Sequence, residues 1–302
     1  MILHHYPMSP FSEKIRALFG YANLDWQSVR VPEMPPRKTL DPLTGGYRKI
    51  PVAQIGSDIF CDTRIICSEV AHIAGKPELA MEHCSEAARD FIHETDLDAF
   101  FALVLSANGK VLLKKLWQDT STWHVLKFMR DRIKMGRSGN VKPPAPAEAK
   151  RIVKAHLERM EEMLTQDFLF GDSPNNADFA AYHGLWFIRD LSGSSYVSRF
   201  PKVDAWLDRI KAFGHGNQTD IAGKDALAAA ADSEPRPLPG STSSDKLMGK
   251  KVSIAPSDYG QVQVQGILMA STDHRYILRR EVPRVGTVHV HFPKQDYMIT
   301  GT

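Results

Sequence analysis

Two residue pairs in the first third of the chain have the types and spacing of a binding site for a small acidic peptide. Asp62 and Thr63 come directly before an apolar-periodic run, so they predict the N-terminus of a helix, where free backbone N–H groups attract a carboxylate. Ile50 and Pro51 open a short apolar run that is typical of a strand start. The backbone N–H and C=O of Ile50 are then open to an extended peptide. Together the two pairs offer a main-chain ladder and an anion pocket.

The turn from Tyr6 to Pro10 is expected to face this site. Ser9 and Pro10 are typical of a helix start, with serine at the cap and proline in the first helical position. The surrounding pattern predicts a strand, a helix, a second strand, a long loop, a hairpin and a second helix. A right-handed crossover makes the first two strands parallel and leaves the hairpin antiparallel. The turn then lies at the end of the first strand, where open α/β sheets tend to bind ligands.

Three short segments carry a family resemblance. They are Tyr-Pro-Met-Ser-Pro-Phe-Ser at 6–12, Tyr-Arg-Lys-Ile-Pro-Val at 47–52 and Cys-Asp-Thr at 61–63. These segments resemble the three signatures of the thioredoxin-like domain of glutathione transferases. The Ser-Pro-Phe opening is most similar to serine-type subgroups such as the tau class. The resemblance covers residues 1 to about 215, and it implies a cis peptide bond between Ile50 and Pro51.

The resemblance implies that glutathione is the ligand and co-substrate. Ser9 would donate a hydrogen bond to the glutathione sulfur, which favours the thiolate over the thiol. Ile50, next to Pro51, would pair its backbone with the cysteinyl unit. Asp62 and Thr63 would hold the γ-glutamyl end, although the family usually has Glu-Ser or Gln-Ser at these positions.

Further positions have alternatives that the sequence leaves open. Lys49, or alternatively Lys38, would bind the glycyl carboxylate. Tyr6 is the alternative donor to the sulfur, since other classes use a tyrosine near the end of the first strand. Ser9 stands where redox relatives carry a cysteine, which argues against a thiol–disulfide mechanism. The plain structural alternative for Ser9, and for the Asp62 pair, is helix capping alone.

Apolar residues recur at helical spacings between residues 82 and 215, which predicts an all-helical domain. In the family, such a domain supplies the wall for the second, electrophilic substrate. Within it, Asn175 followed by Asp178 predicts a helix cap with a structural role. The candidates for the substrate pocket, each of which is alternatively a core residue, are Phe11, Phe101, Leu105, Trp117 and Trp123.

The last third of the chain departs from the family pattern. Residues 216–246 are rich in alanine, proline and serine and predict a linker. Residues 247–302 contain five short alternating runs, which predict a small, partly closed β-barrel. Basic residues there make nucleic-acid binding conceivable, but the net charge of +3 for the whole chain does not favour it. Docking on the helical domain, covering of the substrate pocket or a partner contact fits better.

The composition is that of a cytoplasmic protein. Hydrophobic residues make up 43% and charged residues 24% of the 302 positions, as in ordinary globular domains. Three cysteines without a Cys-x-x-Cys pair argue for a reducing compartment. The sequence shows neither a signal peptide nor an apolar stretch long enough to span a membrane. The histidines lack a metal-ligand spacing apart from a weak pair, His289 and His291, so no metal is expected.

These observations predict four segments. They are a thioredoxin-like α/β domain at 1–76, an all-helical domain at 82–215, a linker at 216–246 and a β-barrel-like domain at 247–302. The function that the resemblance implies is a homodimeric glutathione transferase, which stabilises the glutathione thiolate and conjugates it to a small electrophile in detoxification. The alternative is a non-catalytic protein that keeps the fold for binding or regulation and uses its C-terminal β-domain for partner contact.

Overall fold

The N-terminal part of the chain contributes four neighbouring strands and the helices that flank them, as predicted. The computed structural model describes residues 1–107, 109–119, 122–137, 144–240 and 245–302. The first elements are β1 (Ile2–His5), α1 (Pro10–Tyr21), β2 (Asp25–Arg30), α2 (Asp41–Thr44), β3 (Val52–Ile55), β4 (Asp58–Cys61) and α3 (Thr63–Ala74). β1 pairs in parallel with β2 and antiparallel with β3, and β3 pairs antiparallel with β4. The thioredoxin-like arrangement is therefore confirmed, and the bond between Ile50 and Pro51 is cis.

The apolar face of α1 anchors this helix to the sheet. Ile15, Leu18 and Phe19 are fully buried and join Leu3 of β1 and Phe60 of β4 in one hydrophobic cluster. Their i, i+3, i+4 spacing places them on one side of the helix, so a single face is removed from water. The same cluster extends into the helical part of the chain, which fixes the helices against the sheet.

The middle of the chain is helical, as predicted. Its helices are α4 (Glu86–Glu94), α5 (Phe100–Ser106), α6 (Gly109–Asp119), α7 (Thr122–Arg137), α8 (Pro146–Met163), α9 (Asn176–Trp186) and α10 (Pro201–Ala212). Among the described residues, no helix is both long and apolar enough to cross a bilayer.

Asp178 secures the start of α9, the most deeply buried helix. Its carboxylate accepts hydrogen bonds from the backbone N–H groups of Asn175 and Leu169, both at 3.0 Å, and from the indole of Trp206 at 2.9 Å. The side chain of Asn175 in turn accepts a bond from the N–H of Ala177. The predicted structural role of Asp178 is confirmed, and it ties together α9, α10 and the loop before α9.

The C-terminal strands are present as predicted, but they continue the N-terminal sheet instead of closing a separate barrel. The remaining elements are β5 (Asn217–Asp220), α11 (Gly223–Ala231), β6 (Lys251–Pro256), β7 (Val264–Ser271), β8 (Arg275–Val282), β9 (Gly286–Pro293) and β10 (Tyr297–Gly301). The ten strands follow the order β10-β6-β7-β8-β9-β4-β3-β1-β2-β5. The stretch 216–246, predicted as a linker, contains β5, which pairs with β2, and α11.

The two halves of the sheet join at the parallel pairing of β4 with β9. Asp58 lies opposite His289, and Phe60 lies opposite His291. The outer edge of β4 would otherwise present unpaired N–H and C=O groups, and an added strand satisfies them. The sequence pattern of the last five strands is local, whereas this pairing joins residues more than 200 positions apart. For that reason the pattern predicts the strands but not their attachment.

A buried ionic network fastens this junction. His291 donates to Asp58 at 2.8 Å, and Arg275 binds Glu69 at 2.6 Å. Arg236 reaches both carboxylates, at 3.3 Å to Asp58 and 3.1 Å to Glu69. Burial alone would raise the pKa of Asp58, but the hydrogen bonds from His291 and Arg236 outweigh it and hold that pKa below its ordinary value. The C-terminal strands are therefore tied to β4 and α3 by charge as well as by the strand ladder.

Removal of the Asp178 carboxylate is predicted to destabilise the helical part strongly. Asp178→Ala leaves three buried donors without an acceptor, so the free energy of unfolding should fall by roughly 2–4 kcal/mol in urea denaturation. Asp225 is a matched control, because it accepts a hydrogen bond from the N–H of Ala222 at the start of α11 but is exposed. Asp225→Ala should cost less than about 1 kcal/mol. Equal losses in the two variants would contradict the anchoring role of Asp178.

His156 is predicted to make the fold sensitive to mild acid. It is 3% exposed, stacks on Phe91 and has no hydrogen-bond partner at either ring nitrogen. Burial lowers its pKa to about 4, so the folded state stays neutral while the unfolded state takes up a proton below pH 6.5. Its contribution to stability is thus present above pH 6.5 and is lost as the pH falls. The substitution His156→Leu changes the free energy of unfolding, and this change should be more favourable at pH 5 than at pH 7 by roughly 2 kcal/mol. Urea denaturation of both proteins at both pH values measures it. An effect that does not depend on pH would contradict this assignment.

Candidate functional site

Ser9 lies at the N-terminus of α1 and caps it. Its hydroxyl oxygen accepts a hydrogen bond from the N–H of Ser12 at 3.2 Å, and the residue is 2% exposed. A hydroxyl that accepts in a cap still has its own hydrogen to donate. Capping therefore does not use up the donor that the resemblance assigns to Ser9. Tyr6, the alternative donor, is partly buried and lies three residues before Ser9, and its carbonyl accepts from the N–H of Ser9.

Asp62 forms the N-cap of α3, as its position before the helix predicts. Its carboxylate accepts a hydrogen bond from the N–H of Arg64 at 3.0 Å. Its backbone φ of +80° is rare for a residue with a side chain, so the surrounding contacts must hold this conformation. Thr63 and Ile50 are both nearly buried beside it. The predicted anion pocket and main-chain ladder therefore lie next to each other.

Lys49, the predicted partner of a ligand carboxylate, is already paired within the chain. Its Nζ lies 2.7 and 2.8 Å from the two carboxylate oxygens of Asp258, which follows β6. The ammonium group also lies over the ring of Tyr259, 4.3 Å from the ring centroid. Lys38, the alternative, is exposed and does not line the small cavity that lies beside Lys49 and Asp62. The C-terminal extension, which we define as residues 216–302, thus supplies a carboxylate where the resemblance places one from glutathione.

A second contact from the extension reaches Asp62. The hydroxyl of Tyr297, the first residue of β10, donates to Asp62 at 2.9 Å and lies 2.7 Å from the hydroxyl of Tyr47. Burial alone would raise the pKa of Asp62, but the nearby charges of Arg64 and Lys49 and the hydrogen bonds outweigh it, so this pKa is lowered. Asp62 is therefore an ionised, fully engaged carboxylate. Burial raises the pKa of the Tyr297 phenol well above its usual value, so Tyr297 stays a donor.

The space left between these groups is small. A cavity of about 40 Å³ remains at the site, enough for a few water molecules. Sites for drug-sized ligands usually measure roughly 300–1,000 Å³, so this cavity by itself is too small to enclose a tripeptide. The predicted residues that the structure brings together around the cavity are Phe11, Lys49, Ile50, Pro51, Asp62 and Thr63.

The predicted wall for a second substrate is only partly assembled. Phe101 packs on Tyr259 of the extension, with ring centroids 5.6 Å apart. Leu105 and Trp117 are each 51% exposed and do not line the cavity, and Trp123 is 76% exposed. Sequence reasoning missed Asp258, Tyr259 and Tyr297 as site residues. They belong to loops and strand starts that carry no motif, so only the fold reveals their position.

A larger cavity, about 780 Å³, lies where the extension meets the N-terminal part. The extension contributes His289, His291 and Arg275, and the segment from Arg236 to Pro239 closes one side. The other side comes from α3 and the turns that follow it. Among the described residues, no group of three or more His, Cys, Asp or Glu side chains could hold a metal ion, and Cys61, Cys67 and Cys84 are buried free thiols.

Comparison with known proteins agrees with this geometry. Residues 3–78 match the glutathione S-transferase N-terminal domain, and residues 116–212 match the C-terminal domain. A crystallised GST-like protein from Pseudomonas syringae is 32% identical, with a TM-score of 0.80, over 100% of this chain and 98% of its own. The chain belongs to the glutathione S-transferase family. The assignment to a serine-type subgroup resembling the tau class stays a prediction.

A second relative matches a stretch that is about as long as this chain without its C-terminal extension. FtsZ-localized protein A of Caulobacter vibrioides is 26% identical over 214 residues, which is 70% of this chain and 86% of the relative. The comparison with the Pseudomonas syringae protein, in contrast, takes in the C-terminal strands, because it covers the whole chain. Asp258 and Tyr297, which contact Lys49 and Asp62, thus lie in a part of the fold that this relative shares.

The pair between Lys49 and Asp258 is predicted to stabilise the closed site. Both side chains are largely buried, at 14% and 10% exposure, so Asp258→Asn leaves the lysine charge without its partner. The free energy of unfolding should fall by roughly 1–3 kcal/mol in urea denaturation. Glu158→Gln is the matched control, because Glu158 pairs with Lys154 on an exposed helix surface and should change stability by less than about 0.5 kcal/mol. Equal and small effects in the two variants would contradict a closed site.

Proposed function

We propose that this protein is a non-catalytic member of the glutathione S-transferase family that serves in binding or regulation. The observation that carries the proposal is the placement of Asp258 on Lys49 and of Tyr297 on Asp62, which leaves about 40 Å³ at the glutathione site. Each contact engages a side chain, Lys49 or Asp62, that the resemblance assigns to glutathione binding. The family's ligand therefore does not fit the residues as they are arranged.

Competition with the extension disfavours glutathione binding. A ligand carboxylate would have to displace Asp258, which offers Lys49 the same chemical group from within the chain. The intramolecular partner does not lose translational freedom on pairing, whereas a free tripeptide does. The ligand would also have to displace Tyr259, whose ring packs between Lys49 and Phe101. Glutathione therefore has no advantage at this site over the protein's own side chains.

The extension that closes one site also builds another, which supports a binding role. The cavity of about 780 Å³ takes much of its lining from Arg236–Pro239 and from β8 and β9. Its volume lies within the range of small-molecule sites. A protein whose added strands remove the family's site and enclose a new one is better suited to a different ligand or partner than to glutathione chemistry.

A second candidate function is the glutathione transferase that the resemblance implies. Ser9 favours it, because its hydroxyl can still donate from the N-terminus of α1, and Asp62 and Thr63 keep the groups for a γ-glutamyl end. In this candidate a cytoplasmic homodimer stabilises the glutathione thiolate for attack on a small electrophile. The segment with Asp258 and Tyr259 must then leave Lys49 before glutathione binds.

Glutathione titration by calorimetry separates the two candidates. The wild-type protein should show no binding with a Kd below about 1 mM, which corresponds to roughly −4 kcal/mol. The double variant Asp258→Ala, Tyr259→Ala opens the site and should bind more tightly than wild type. The control pair Glu281→Ala, Met298→Ala removes exposed side chains of the same extension and should behave as wild type.

The thiolate absorbance of bound glutathione gives the result that would overturn the proposal. Binding to wild type with a thiol pKa below that of free glutathione would favour the transferase, provided that Ser9→Ala restores the ordinary pKa. If the double variant binds glutathione without lowering the thiol pKa, the result would support the proposal. The site would then neither admit glutathione in the wild-type protein nor activate its thiol once it is opened.

A further inference from the structure

The two consecutive helices α6 and α7 carry a higher net positive charge than the whole chain. Between residues 109 and 137 the sequence contains eight lysines and arginines but two aspartates, a net charge of +6, against +3 for the whole protein. The remainder of the chain is therefore net negative. A concentration of one sign on two adjacent helices creates a local positive field that steers anionic partners.

Large apolar side chains stand exposed among these charges. Trp117 and Trp123 are 51% and 76% exposed, and Leu126 and Met129 are 59% and 43% exposed. Trp26 and Trp206, in contrast, are buried in the core. Exposed tryptophans beside basic residues are unusual on a face that meets only water, because their apolar area stays hydrated.

The exposed residues follow helical spacing, so each helix presents a defined stripe. On α6 the stripe contains Lys110, Lys114 and Trp117. On α7 it contains Trp123, Leu126, Lys127 and Arg130. The intervals of three and four residues place these side chains on one face of each helix. Trp117 lies near the end of α6, and Trp123 lies near the start of α7.

Other side chains of α6 and α7 hold these helices to the rest of the protein and leave the stripes exposed. Asp131 pairs with Arg48 at 2.6 Å, and Arg132 donates to the carbonyl of Glu33 at 2.8 Å. Lys115 donates to the carbonyl of Leu191 at 2.6 Å, and Val125 is 3% exposed. Each helix is therefore anchored by some of its side chains and exposes its basic and aromatic residues.

We propose that the exposed face of α6–α7 docks on an anionic lipid surface. The face consists of Lys110, Lys114, Trp117, Trp123, Leu126, Lys127, Met129 and Arg130. Lysine and arginine attract the acidic headgroups, while tryptophan and leucine enter the boundary between headgroups and acyl chains. Neither of the two cavities described above is lined by these residues, so the face fits a broad surface better than a peptide in a groove. The inference does not depend on whether glutathione binds.

Sedimentation with vesicles tests the proposal on the full-length protein. The protein should pellet with vesicles of phosphatidylcholine and phosphatidylglycerol but stay in solution with phosphatidylcholine alone, and added salt should weaken the binding. Tryptophan emission should shift to shorter wavelength on binding. The variant Trp117→Ala, Trp123→Ala should lose that shift, and the variant with Lys110, Lys114, Lys127 and Arg130 changed to glutamine should bind about a hundredfold more weakly.

A charge-matched control distinguishes the face from net charge. Lys150, Arg151, Lys154 and Lys202 are exposed elsewhere, and their replacement by glutamine should leave vesicle binding within about threefold of wild type. Circular dichroism checks that each variant is folded. The proposal is overturned by absence of binding to anionic vesicles, by equal losses in control and test variants, or by tighter binding to duplex DNA than to vesicles. It is also overturned if the tryptophan variant dissociates a dimer in light scattering, because the face would then bind a second copy.

Discussion

The ion pair between Lys49 and Asp258 is the contact on which the proposed function depends, because it occupies the cation that the family resemblance assigns to a ligand carboxylate. The pair exists because β9 adds to the edge of β4 and carries the other C-terminal strands with it. Tyr297 lies opposite Pro256 in the pairing of β10 with β6, two residues before Asp258. The same end of this strand pair therefore reaches both Lys49 and Asp62.

The added strands both cover the edge of β4 and enclose a new cavity with buried charges. Adding strands to β4 removes an exposed edge, and the side chains of β8 and β9 then face α3 across a new cavity. Asp58 and Glu69, on the N-terminal side, become buried and need the cations Arg236 and Arg275 from the extension. The extension is thus built into the N-terminal domain and is not an independent appendage. The N-terminal domain and the extension therefore form one structural unit.

Local chemistry explains which parts of this structure could be predicted from sequence. The caps at Ser9, Asp62 and Asn175 follow from residue types within a few positions of a helix start, and each is present. The thioredoxin-like order follows from strand, helix and turn patterns of the same short range. The positions of Asp258 and Tyr297 depend on a parallel pairing across more than 200 residues, and strand alternation carries no information about that partner. The pairing of Lys49 with Asp258 could not be predicted from the sequence for this reason.

A crystal structure of the wild-type protein grown with a large excess of glutathione tests most directly whether the site is closed. We predict that Asp258 remains on Lys49, that Tyr297 remains on Asp62 and that no tripeptide pairs with the backbone of Ile50. Glutathione bound along Ile50, with its glycyl carboxylate on Lys49 and the segment around Asp258 displaced, would contradict a closed site and restore the transferase as the leading function.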